Sequence, residues 1–169
     1  MDPKTDLFTQ LEVEQPKLRN FILIFLLYSI PILITLISFY SRPNLHSFRF
    51  LVDNPKYLLF TAITQVLPVA AAFLFILKTK GGWILMVLIS AIMASVFIKF
   101  LLVHFFYPGR KMDDFILVRE IYFSVNFVAV LILSFTKPVI KLFKLNRLLI
   151  ALTIFTSSAL FTLTFIYTN

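Results

Sequence analysis

The chain has no cysteine. Neither a disulfide framework nor a thiolate metal site can form. Glycine is almost as scarce: Gly81, Gly82 and Gly109 are the full set, and each is expected in a turn. A glycine-rich phosphate loop and a GxxxG helix-pairing motif are thereby excluded, and no nucleotide site is visible. No serine sits in a GxSxG turn, so a nucleophile elbow is missing. His46 and His104 lack a partner at HxxxH or HExxH spacing, which leaves no metal motif. No internal repeat or low-complexity segment stands out.

What the chain has is hydrocarbon. Hydrophobic residues make up 60% of its 169 positions and aromatics 17%. Soluble domains run nearer ~45–50% apolar. So short a chain has no interior large enough for that much Phe, Leu and Ile, so the bilayer is expected to surround it. The formal net charge is +8. The basic residues flank apolar runs, so they read as topology signals and contacts to anionic lipid rather than to nucleic acid.

The expected fold is an all-α bundle of five transmembrane helices with short interfacial helices. The spans fall at about 21–40, 57–77, 83–103, 115–135 and 148–167. Each is close to the ~20 residues that cross a ~30 Å core. Hydrocarbon cannot satisfy backbone polar groups, so helices are required. A barrel would show short alternating segments, and these runs are continuous. Pro31 and Pro68 lie inside the first two spans and are expected to kink them.

Residues 1–20 form a mixed-charge tail, with a short helix expected to end at Pro16; residues 21–169 form one membrane domain. The tail is too acidic for a signal peptide, and no small-residue cleavage site follows the first apolar run, so the first span is expected to be retained. With five spans, the tail, the 78–82 turn and the 136–147 loop share one side. They carry Lys4, Lys17, Arg19, Lys78, Lys80, Lys137, Lys141, Lys144 and Arg147. The other side carries Arg42, Arg49, Lys56, Arg110 and Lys111. The excess places the N-terminus in the cytoplasm. Short loops and the absence of organelle signals point to a bacterial inner membrane.

The 136–147 loop carries Lys137, Lys141, Lys144 and Arg147 at spacings that share one helical face, after Pro138 in a first turn. The pattern predicts a short interfacial helix touching anionic lipid. Loop 41–56 has a helical stripe of Leu45, Phe48 and Val52 and is expected on the outer surface.

Polar groups within the spans are the candidate functional residues. Lys99, His104, Asp113, Asp114, Arg119 and Glu120 are expected to gather near the outer side. Lys and Arg can snorkel to headgroups, whereas an ionised Glu120 needs a cation, Lys99 or Arg119 by level. Ala91, Ser95 and Lys99 form an i, i+4 stripe, with Ser90 and Ala94 beside it, suited to close helix contact. Gln65 and Asn126 are expected near mid-membrane, where two buried amides can satisfy each other between the second and fourth spans. Gln65, Asn126, Thr153, Thr156, Ser157 and Ser158 could otherwise line a solute path, although span hydroxyls usually bond their own helix. Asp113 or Asp114 is expected to cap the fourth helix.

No cofactor and no metal are expected. Short loops leave little soluble material for catalysis. The favoured function is a non-enzymatic subunit or interaction protein of a membrane assembly, partnered by itself or another membrane protein. A homo-oligomeric channel or membrane-permeabilising effector is the alternative, with Lys99, Arg119, Glu120 and Asn126 lining the pore. A third reading is a membrane enzyme on a lipid-linked substrate, with His104 as base beside Asp113, Asp114 or Glu120.

Overall fold

Apolar runs of about twenty residues with few breakers fold as long helices. A computed structural model describes the backbone of residues 3–40, 65–106 and 114–167, and the side chains of 18–38, 65–106 and 116–167. Every regular element among the described residues is a helix. They are α1 (Pro3–Tyr40), α2 (Leu67–Ile76), α3 (Lys80–Phe106), α4 (Asp114–Ser134), α5 (Lys137–Leu142) and α6 (Arg147–Tyr167). Among the described residues, four segments are long and apolar enough to cross a membrane: Leu18–Ser38, Lys80–Phe106, Ile116–Ser134 and Arg147–Tyr167.

The expected second span is the one that differs. Its described part is α2, ten residues long, and positions 57–64 lie outside the described residues. Pro68 is the second residue of α2, and Leu67 separates it from a wider π-type turn at Gln65 and Val66. Proline has no N–H to donate to the preceding turn, and a widened turn is the local irregularity that accompanies a kink. Pro16 and Pro31, by contrast, sit inside an unbroken α1. Pro16 therefore does not end a separate tail helix. Each proline forfeits one bond of the ladder, and helix-forming neighbours carry the rest. Loop 41–56 lies outside the described residues.

The helices alternate in direction. Phe21, near the start of the apolar part of α1, stacks on Phe75 at the end of α2, with ring centroids 4.9 Å apart. Trp83 at the start of α3 donates through Nε1 to the carbonyl oxygen of Ser134 at the end of α4, 3.0 Å away. Ser95 of α3 bonds the carbonyl of Phe161 and Lys99 bonds that of Ile166, so α3 and α6 run parallel. The turn after α2, the segment between α4 and α6, and the start of the apolar part of α1 thus lie at one end of the bundle. The ends of α3 and α6 and the start of α4 lie at the other.

The core is aromatic. Trp83, Tyr28, Phe75, Phe127 and Phe143 are fully buried or nearly so. Tyr28 of α1 makes an edge contact to Phe127 of α4 and donates from its hydroxyl to the Pro68 carbonyl, 3.2 Å away. One side chain therefore ties three helices together. Outside, the bundle is apolar: Phe73, Val118, Val125 and Phe155 are all exposed, Phe155 at 76%. Ser90, Ser95, Glu120, Ser124 and Asn126 are buried. Polar groups inside and hydrocarbon outside is the arrangement that a lipid solvent favours.

Candidate functional site

The polar residues lie at the two ends of the bundle and midway along it. At the end where α3 and α6 finish, Glu120 is 4% exposed. Its Oε1 accepts from both Nε (3.1 Å) and a terminal nitrogen (2.6 Å) of Arg119. Two charge-assisted bonds from one guanidinium meet the demand of a buried carboxylate. Arg119 is itself about one third exposed, its side chain at 34%, so its stem reaches the surface while its head holds Glu120.

Lys99 serves a different partner. Its Nζ donates to the Ile166 carbonyl, 3.3 Å away, and lies 5.9 Å from the centre of the Phe165 ring. A cation at the C-terminal turn of α6 satisfies an orphan carbonyl and the negative end of the helix. The Ala91, Ser95 and Lys99 stripe lies against α6: Ser95 Oγ donates to Phe161 at 2.9 Å, and Ala91 shares a groove with Ser157, Ser158, Phe161 and Thr162. His104 follows one turn after Phe100, with its Nδ1 buried and without a hydrogen-bond partner. Asp113, and the side chain of Asp114, lie outside the described residues, as do His46 and Asp53; α4 begins at Asp114.

The mid-bundle amides are both buried. Asn126 Nδ2 donates to the carbonyl of Tyr122 in its own helix, 2.7 Å away. The second and fourth helices are joined here by the Tyr28 side chain of α1. Hydroxyls of α6 also bond carbonyls of their own helix: Thr153 bonds Leu149, Ser157 bonds Ile154 and Thr162 bonds Ser158. These are the local bonds by which Ser and Thr satisfy themselves inside helices.

The opposite end is basic. Arg19, Lys78, Lys80, Lys137, Lys141, Lys144 and Arg147 are all exposed there. The four residues of the expected interfacial helix do not share one helix. Helix α5 contains Lys137 and Lys141 and stops at Leu142; Lys144 lies in the turn that follows, and Arg147 opens α6. The reason is Val139 and Phe143, which are buried against the bundle, Phe143 on the Phe75 ring at 4.9 Å. Their burial pins α5 to the bundle and turns the lysines outward.

Two turns at this end share one design that spacing alone does not reveal. After α2, Lys78 N–H donates to Phe75 and Thr79 N–H to Leu74. After α5, Lys144 N–H donates to Lys141 and Leu145 N–H to Ile140. Both are Schellman motifs, and both place lysine in the left-handed position that glycine usually takes, at φ 53° and 51°. Thr79 Oγ1 then caps α3 by accepting from Gly82 N–H, and Asn146 Oδ1 caps α6 by accepting from Leu149 N–H. Gly81 and Gly82, expected in a turn, form the first turn of α3 instead.

Comparison of the chain with protein-family models, curated proteins and solved structures returns no match.

Proposed function

We propose that this chain is an integral membrane protein that acts without catalysis, through helix association, as a subunit of a larger membrane assembly. The supporting observation is helix α6. It packs chiefly on α3, and only 11% of its apolar window is buried. Yet its exposed surface is not uniformly hydrocarbon: Thr156, Ser158 and Thr162 are exposed on it. A shallow groove of about 230 Å³ runs beside them, lined by Ala91, Leu131, Ser157, Ser158, Phe161 and Thr162. Lipid tails give no reason for hydroxyls and small side chains on an outer face. Close approach of another helix does, because small residues let backbones pack and hydroxyls bond across.

The reading includes five crossings, with residues 57–77 as the second, and a cytoplasmic N-terminus set by the basic end. A bacterial inner membrane fits the short loops. Extraction in mild detergent followed by native mass measurement tests the function. The expected particle contains the 19.6 kDa chain with further copies or another membrane protein. A bare monomer in several mild detergents would refute it. Reporter fusions test the topology, with the two ends of the chain expected in different compartments.

A further inference from the structure

We infer that the two lysine turns, Leu77–Thr79 and Phe143–Leu145, together form a binding site for the phosphate headgroup of an anionic lipid. The assignment rests on the membrane insertion proposed above and adds a defined ligand site to it.

The first observation is backbone geometry. Among the described residues, the non-glycine residues with positive φ are Lys78 and Lys144. A side chain in that region is disfavoured by crowding between Cβ and the carbonyl, and glycine relieves it. Each turn has the hydrogen bonds that make glycine the usual choice, yet each has lysine. A residue held against its backbone preference twice, at the same end and with the same charge, points to use of the side chain.

The second observation is convergence. The turns are remote in sequence but meet at one aromatic cluster. Phe75, three residues before Lys78, stacks on Phe21 and packs on Phe143, which directly precedes Lys144. Phe21 and Phe143 are 6.4 Å apart, and Lys78 Nζ lies 5.9 Å from the centre of the Phe21 ring. Three rings thus fix the spacing of the two turns, at the level where a helix bundle leaves hydrocarbon.

The third observation is charge. Lys80, Lys137, Lys141 and Arg147 lie at the same end as the pair, all exposed. Among the described side chains the one carboxylate is Glu120, which is buried and held by Arg119 toward the opposite end. Among those side chains the basic end carries cations alone, and Glu12 and Glu14, earlier in α1, are the nearest acids in sequence. A phosphate at the surface of an anionic leaflet complements it, since each Lys or Arg near such a surface adds attraction. The lysine ammonium groups supply the donors, and the rings sit where acyl chains begin.

The test measures thermal stability of the full chain in neutral detergent micelles, with phosphatidylcholine or phosphatidylglycerol added. Resistance to alkaline carbonate is scored on the membranes before they are dissolved in detergent. Phosphatidylglycerol is expected to raise the wild-type midpoint by a few degrees over phosphatidylcholine. In the double variant K78G/K144G that rise disappears, while the midpoint in phosphatidylcholine is at least that of wild type, because glycine relieves both turns. K137Q/K141Q removes equal charge from the same end and keeps most of the rise. Equal losses in the two double variants would reduce the effect to general charge and overturn the site. So would a wild-type midpoint indifferent to phosphatidylglycerol, or one raised as far by inorganic phosphate. Loss of the protein to carbonate would instead overturn membrane insertion itself.

Discussion

Trp83 and Ser134 stand 51 residues apart in sequence and are joined by a 3.0 Å hydrogen bond from the indole Nε1 to the carbonyl oxygen. The bond ties the first turn of α3 to the last residue of α4. It satisfies a helix-end carbonyl that has no partner within its own helix. The Trp83 ring also meets Phe135 edge-on at 5.4 Å. Replacing Trp83 by Phe keeps most of the apolar burial but leaves that carbonyl without its donor. A loss of about 1–3 kcal/mol is expected, measurable as reduced thermal stability in detergent.

Gly82 and Gly81 are neighbours with opposite tolerance. A Cβ at Gly82 would lie 2.3 Å from the carbonyl carbon of Leu74, whereas one at Gly81 meets nothing within 4 Å. The clash at Gly82 is with backbone, so α2 and α3 must part to relieve it. Gly82→Ala is expected to destabilise by more than about 1 kcal/mol. Gly81→Ala is expected to be neutral or stabilising by up to about 1 kcal/mol, from helix propensity. Thermal midpoints of the two variants in the same detergent should fall on opposite sides of wild type or nearly so.

The Arg119–Glu120 pair is asymmetric, with side-chain exposures of 34% and 5%. Arg119→Gln leaves a buried carboxylate without its cation. Glu120→Gln leaves a guanidinium that can reach the surface. The arginine variant is therefore expected to lose roughly 1–3 kcal/mol and the glutamine at position 120 clearly less. Equal losses would show that the pair does not gain its value from burial of Glu120.

Ser95 is fully buried where α3 meets α6 and bonds the Phe161 carbonyl at 2.9 Å. Leucine at this position would push α6 outward. Ser95→Leu is expected to cost about 1–3 kcal/mol by overpacking, and Ser95→Ala less. Because α6 also carries the groove proposed for helix association, Ser95→Leu should shift the native mass distribution toward monomer. Retention of the full assembly by a destabilised Ser95→Leu chain would separate the groove from that contact.

Much of the helix order was readable from the chain. The third, fourth and fifth apolar runs became α3, α4 and α6 with ends displaced by no more than three residues. The reason is that spans are set by hydrocarbon thickness and by runs of apolar residues, both local properties. Where expectation and structure part, the cause is a partner that spacing cannot name. The depth of Asn126 does not reveal that its amide nitrogen donates to the Tyr122 carbonyl one turn back. Level names two cations for Glu120, Lys99 and Arg119; the structure pairs it with Arg119, while Lys99 donates to the Ile166 carbonyl.

Composition and local pattern alone pointed to helices long and apolar enough to cross a membrane and to basic residues at one end, because these follow from transfer free energies summed over each run. Tertiary structure alone decided that α3 and α6 lie side by side, that Tyr28 joins three helices, and that two distant lysine turns close on one aromatic cluster. Those outcomes depend on which faces meet. Faces meet by shape and hydrogen bonding between residues far apart in the chain, and no local pattern encodes that choice.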